Sequence, residues 1–365
     1  MGGGQLALMM AEAAGAAGVE LTVLAASPDD PAAALAAHRL VGSPRDPDAL
    51  ERLGDLTEVV TFDHELVDLD LLGRLEAAGV VVRPSPHALR FSVDKAYQRV
   101  TLAAAGVPVP DFVVAHHPDD PELERFLDAH VDTVVKAATG GYDGRGVFFC
   151  RGATEAREIV ARVAPAVVEE HLPLDGELAQ LVVRSVDGAL LPYPTVSTVQ
   201  ANGMCVETSF PAALDAARRD EAVALATRIA DLSGVVGVLA VELFDVAGRL
   251  LVNEVALRPH NTGHWTIEGA RTSQFENHLR AVAGRPLGPT DPVAPAAVMV
   301  NLVGGDAPAR LTTPATPGVV THDYRKTWRP GRKIGHVTAL DEDVARARVR
   351  AWEQARACGA APAEV

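Results

Sequence analysis

Two apolar runs in the second half of the chain, at 241–244 and 250–255, flank Asp245-Val246-Ala247-Gly248. A turn tetrapeptide between β-type runs predicts a hairpin. That hairpin sets Glu242 and Glu254 on neighbouring strands. Two carboxylates held close repel each other unless a cation lies between them. Oxygen-only ligands of this kind suit Mg²⁺, which binds through one or two carboxylates plus substrate phosphates, and Mn²⁺ accepts the same donors. A surface hairpin with two solvated acids is the alternative. It fits poorly with the run that follows, Arg258-Pro259-His260-Asn261-Thr262-Gly263-His264-Trp265, which is dense in polar, basic and aromatic groups.

The formal net charge of −15 argues against nucleic-acid binding, which requires a concentrated cationic face. The three cysteines, Cys150, Cys205 and Cys358, lie far apart and suggest neither a zinc site nor a disulfide framework. No apolar run reaches membrane length, and the Ala-rich start lacks a basic segment, so a cytoplasmic setting is expected. Of the 33 basic residues only four are lysine: Lys95, Lys136, Lys326 and Lys333. A compact ammonium touches phosphate as a point charge where a guanidinium would make a fork. Compositional drift explains the scarcity equally well for Lys95.

At 365 residues the chain exceeds one small core, and two or three domains are expected. Residues 1–92 alternate helix (5–17, 66–78) and strand (20–26, 57–62, 80–83), the pattern of a small parallel α/β domain. A helix is predicted over 92–105. Strands at 112–115, 133–137, 147–150 and 166–169, with helices at 121–130 and 154–163, make a lid-sized α+β unit at about 111–175. Strands at 178–186, 236–244, 250–255 and 296–302 and a helix at 220–232 follow. A last short unit ends in a helix at 344–357.

Three further segments carry chemistry. Lys136 closes a strand and precedes Thr139-Gly140-Gly141-Tyr142-Asp143-Gly144-Arg145-Gly146, where glycines let backbone N–H groups approach phosphate oxygens. Gly2-Gly3-Gly4 runs straight into a helix, a ready anion site, but without the strand and spacing of a dinucleotide fingerprint. Tyr324-Arg325-Lys326 and Arg329–His336 form a basic cluster suited to a phosphorylated small molecule, or else a solvated loop. Glu65 follows a strand end, where open α/β sheets bind ligands. A helix-start acid is the equal alternative there.

Read in order, these segments resemble the ATP-grasp superfamily, and more narrowly the N5-carboxyaminoimidazole ribonucleotide synthases. The matching strings are Gly-Gly-Gly-Gln-Leu at 2–6, Thr-Phe-Asp-His-Glu at 61–65 and Gly-Gly-Tyr-Asp-Gly-Arg-Gly at 140–146. They continue with Gly-Val-Leu-Ala-Val-Glu-Leu-Phe at 237–244, 253–265, Thr-Ser-Gln-Phe at 272–275 and Gly-Arg-Lys-Ile-Gly-His at 331–336. The resemblance implies a Rossmann-like pre-ATP-grasp domain at 1–92, an ATP-grasp domain at 93–290 and a small C-terminal domain at 291–365. It implies ATP on Lys95, Lys136, Gly141, Tyr142, Asp143, Gly144, Arg145, Gly146, Val147, Glu169, Glu170, His171, Leu172, Glu177, Gln200, Asn253 and Glu254. Glu242 and Glu254 would hold Mg²⁺. Gln5, Leu6, Glu65, Asn261, Lys326, Arg332 and Lys333 would face aminoimidazole ribonucleotide. Tyr142, Arg145, His260, Asn261 and Lys326 would surround bicarbonate. The implied assembly is a homodimer acting on small molecules alone.

The family's first strand precedes Gly-Gly-Gly-Gln-Leu, whereas Met1 stands there here. A natural chain about ten residues longer, one strand's worth, is therefore expected, with unpaired edges and an exposed apolar helix face without it. Gln200 stands where relatives often have His, and keeps a donor and an acceptor. Two other readings remain open on the sequence. One is another ATP-grasp ligase, such as a formate-dependent glycinamide ribonucleotide transformylase. The other is a nucleotide-binding regulatory protein without turnover.

Overall fold

The computed structural model describes residues 1–141, 146–201, 203–305, 311 and 316–359. The N-terminal part contains α1 (Gln5–Ala17), β1 (Thr22–Ala25), β2 (His38–Val41), α2 (Pro47–Leu56), α3 (Leu69–Ala77), α4 (Pro86–Val93) and α5 (Lys95–Ala104). β1 and β2 pair in parallel. The strands expected at 57–62 and 80–83 meet only at one parallel bridge, Val60 to Val82. Met1 and Gly2 lie between the two pairs: Gly2 N–H donates to Leu24 O at 3.0 Å, and Asp63 N–H to Met1 O at 3.1 Å.

The expected exposed face of α1 is not found. Leu6, Leu8, Met9 and Met10 are buried in one cluster with Phe275, Leu279 and Tyr324. The helix that carries Gln5 is thereby fixed to a helix far along the chain. Phe275 is 1 % exposed. Phe275→Ala is expected to cost about 3–5 kcal/mol through lost burial and the cavity left behind. A urea midpoint that barely moves would show that this contact does not hold α1.

The helix expected over 92–105 starts later, as α5 at Lys95, because residues 92 and 93 close α4. Asp94 ends α4 and caps α5, its carboxylate accepting the Tyr97 N–H at 3.0 Å. The break matters because Lys95 then begins a new axis. Its N–H donates to Ala138 O at 2.8 Å, beside the glycine-rich segment.

The lid consists of β3 (Phe112–Ala115), α6 (Pro121–Ala129), β4 (Asp132–Ala137), β5 (Val147–Arg151), α7 (Ala153–Val163) and β6 (Ala166–Glu170). Its antiparallel sheet has the order β3-β6-β4-β5. Leu123, Leu127, Ile159 and Val160 cover that sheet from the helices. The body of the molecule is a nine-stranded sheet. Its strands are β7 (Gly176–Arg184), β8 (Leu190–Pro192), β9 (Val196–Ala201), β10 (Met204–Phe210), β11 (Gly237–Val246), β12 (Arg249–Ala256), β13 (Ala296–Val303), β14 (Val319–Asp323) and β15 (Lys333–Asp341). They run β12-β11-β7-β9-β10-β13-β15-β14, with β8 on β7. The helices α8 (Ala216–Ser233), α9 (Thr266–Gly269), α10 (Gln274–Val282) and α11 (Val344–Ala357) complete the fold.

Candidate active site

The expected hairpin forms, and its turn is tighter than the tetrapeptide suggested. Only Ala247 and Gly248 lie between the strands, with φ of 48° and 79°. Two positive φ values are the signature of a type I′ turn, whose twist matches paired strands. Glu242 and Glu254 are direct cross-strand partners. One place further on, Leu243 pairs with Val252, so Asn253 is the extra residue of a bulge. A regular strand would turn Asn253 away from its neighbour Glu254. The bulge re-aims it, and its amide donates to Glu242 Oε2 at 3.4 Å.

Ammonium groups answer the carboxylates. Lys95 Nζ lies 2.6 Å from Glu254. Lys136, on β4 of the lid, lies 2.7 Å from Glu169 and donates to Asn253 Oδ1 at 2.8 Å. Burial and the nearby Glu254 and Glu177 push the Glu242 carboxyl up to about 7. Burial would raise Glu254 as well, but Lys95 overrides it and brings Glu254 down to about 2. Burial lowers the Lys136 ammonium, and Glu169 only partly offsets that. Lys95 thus pairs with one carboxylate, while the other is held above the usual carboxylate range. A divalent ion taking oxygen ligands fits this donor set.

The other expected nucleotide residues border the same place. Val147 pairs with Lys136 across the lid sheet, and Gly141 and Gly146 flank Tyr142, Asp143, Gly144 and Arg145, which lie outside the described residues. Glu169 is 2 % exposed, and its carboxylate meets Lys136 and Arg99. Glu170 accepts the Asp111 N–H at 2.9 Å. His171 meets Phe149 edge-on, and Leu172 is half-buried. Glu177, raised by burial, stands on β7 opposite Phe244 of the hairpin. Gln200 sits on β9, half-buried, opposite Cys205.

A second group gathers the acceptor residues. Lys326 donates to Gln5 Oε1 and stands 5.5 Å from the centre of the Tyr324 ring. Glu65 is 2.6 Å from Arg258. His260 Nε2 is 3.7 Å from Glu242, and Gln274 holds the His260 backbone by both its N–H and its carbonyl. Asn261 is buried and exchanges two amide hydrogen bonds with Asn301, at 3.0 and 2.6 Å. Leu6 packs into the core, so only its backbone at the helix start faces an anion site. That site is already partly filled, since Gly4 N–H donates to the Asp63 carboxylate at 3.1 Å. The basic cluster is divided: Lys333 is 7 % exposed, whereas Arg332 is half-buried and donates to Thr327 O.

Glu268, His322 and His336 form a separate group. His322 Nε2 is 2.6 Å from Glu268 Oε1, and the two imidazoles stack at 4.4 Å. Ligands of one tetrahedral ion stand roughly 3.3 Å apart. The His322–Glu268 pair is closer than that and is joined by a hydrogen bond.

Sequence reading missed Arg99, Arg258 and Asn301. Arg258 lies inside a quoted string and could have been paired with an acid. Arg99 and Asn301 sit 70 and 40 positions from their partners, Glu169 and Asn261, with no local signal.

A lid carrying a lysine and a glycine-rich segment, over a sheet hairpin carrying two carboxylates, defines an ATP-grasp enzyme. The family model for the ATP-grasp domain matches residues 100–275. The ribonucleotide synthetase preATP-grasp domain matches 1–93, and the phosphoribosylaminoimidazole carboxylase C-terminal domain matches 297–350. An N5-carboxyaminoimidazole ribonucleotide synthase of Mycobacterium bovis is 48 % identical over 96 % of this chain and 85 % of its own length. The Thermus thermophilus synthetase structure has a TM-score of 0.88 at 34 % identity, covering 99 % of this chain and 98 % of that one. An Aspergillus clavatus synthase in complex with ADP and aminoimidazole ribonucleotide has a TM-score of 0.88 at 29 % identity, covering 98 % and 97 %. The chain belongs to the N5-carboxyaminoimidazole ribonucleotide synthase family, whose members are ATP-grasp ligases.

Proposed function

We propose that this protein carboxylates 5-aminoimidazole ribonucleotide with bicarbonate and ATP, giving N5-carboxyaminoimidazole ribonucleotide, ADP and phosphate in purine biosynthesis. The carrying observation is the lid lysine Lys136 joined to Asn253 beside the facing Glu242 and Glu254. Lys95 and Lys136 bind the phosphates in this reading, the 169–172 segment borders the adenine, and Glu177 holds the ribose. Glu242 and Glu254, with Asn253, would hold Mg²⁺, which when bound neutralises the charge of the β- and γ-phosphates. Domains at 1–92, 93–290 and 291–365, the latter two sharing the large sheet, and a cytoplasmic homodimer complete the reading.

Bicarbonate is a poor electrophile. Its oxygen attacks the γ-phosphate, and charge spreads over the transferring group as the lysines face it. Carboxyphosphate is short-lived in water, so the lid must exclude solvent until the exocyclic amine takes the carboxyl group. His260, beside Glu242, and Asn261, fixed by Asn301, border the bicarbonate position together with Lys326. Gln5, Glu65, Arg332 and Lys333 face the ribonucleotide, and Arg258 orients Glu65. No protein nucleophile is needed.

ADP release with MgATP should rise sharply when bicarbonate and aminoimidazole ribonucleotide are both supplied. Formate with glycinamide ribonucleotide should give little. Equal rates for the two pairs would leave only the ATP-grasp assignment standing.

A further inference from the structure

Arg99 belongs to no motif and is 2 % exposed. Its guanidinium reaches three groups on two strands at once. It pairs with one oxygen of Glu169 on the lid strand β6. It also donates to the Val252 and Asn253 carbonyls of the hairpin, at 2.7 and 2.8 Å. The other Glu169 oxygen is 2.7 Å from Lys136 Nζ. These three buried charges therefore form a row of arginine, glutamate and lysine with one positive charge left over. Without Arg99, Lys136 and Glu169 would cancel each other, and a phosphate would meet a neutral pair. Attraction of an anion scales with the uncompensated charge in such a low-dielectric setting.

We propose that Arg99 is a positioning residue that gives Lys136 its phosphate affinity, by taking up the charge of Glu169 and fixing the bulge that aims Asn253 at the lysine. The inference rests on the reading that Lys136 binds ATP phosphates. It also makes the Glu169 carboxylate an opponent of phosphate binding held in check, while the backbone of the 169–172 segment still borders the adenine. A planar fork is needed to reach the carboxylate and two carbonyls together, so lysine at this position would replace the charge and lose the geometry.

The test is a charge-compensation series on the full-length protein, reading KM for ATP and kcat separately. Arg99→Met should raise KM for ATP about tenfold or more, with a smaller effect on kcat. Arg99→Lys should fall between. Adding Glu169→Gln to Arg99→Met restores the net charge of the row, and KM should return to within about threefold of wild type. A purely structural role for Arg99 predicts the reverse, because the double variant loses two buried partners. A double variant no better than Arg99→Met overturns the proposal. If Arg99→Met does not fold, Glu169→Gln alone decides: KM for ATP no higher than wild type supports the proposal, and a large rise contradicts it. Lys136→Met separates the two levels. An unchanged KM for ATP there means that the lysine's assignment has failed, whereas a raised KM with no compensation means that only the role of Arg99 has failed.

Discussion

Glu254→Gln should leave a folded protein with almost no ATP turnover. The carboxylate faces Glu242 across the hairpin and is held ionised by Lys95, at 2.6 Å. The amide keeps the shape and removes the charge that a divalent ion and its nucleotide require. Groups that stabilise charge only as it develops are worth several kcal/mol each. A fall in kcat/KM for ATP of about 10³-fold, about 4 kcal/mol, is therefore expected. The fold should survive, because Glu254 is only half-buried and its strand is held by the ladder to β11. Turnover within tenfold of wild type would place the metal elsewhere.

Lys326→Met should have the second largest effect, and on a different substrate. Lys326 is tied to Gln5 and set over the Tyr324 ring. Loss of the ammonium should lower kcat/KM for aminoimidazole ribonucleotide by about 10²-fold while KM for ATP changes by less than about threefold. Equal losses on both substrates would mean that the residue organises the whole cleft. Steady-state kinetics with each substrate varied in turn distinguishes the two.

The hairpin was readable because its information is local. Turn residues, apolar runs and both acids lie within 15 consecutive positions, 241–255. The lid was readable for the same reason, with short strands and helices each bounded by turn residues. The α4/α5 break was not, because Asp94 sits in an unbroken helical pattern and acts only through its cap to Tyr97. The single bridge at Val60 was over-read as two full strands, since apolar β-branched runs look alike whether or not they find a partner. The pairs Arg99–Glu169, Asn261–Asn301 and Lys326–Gln5 join distant parts of the chain, and only the fold brings them together. The glycine turn before α1 read as an anion site. The protein fills part of it with Asp63, a contact that no spacing rule announces.

The central claim is that ATP is cleaved by bicarbonate oxygen. Wild-type enzyme supplied with freshly dissolved ¹⁸O-bicarbonate, MgATP and aminoimidazole ribonucleotide should release phosphate carrying one bicarbonate-derived ¹⁸O per turnover, as mass spectrometry of the phosphate reads. Phosphate that stays unlabelled while ADP forms at the full rate would mean that water or another group attacks the γ-phosphate, and would contradict the account.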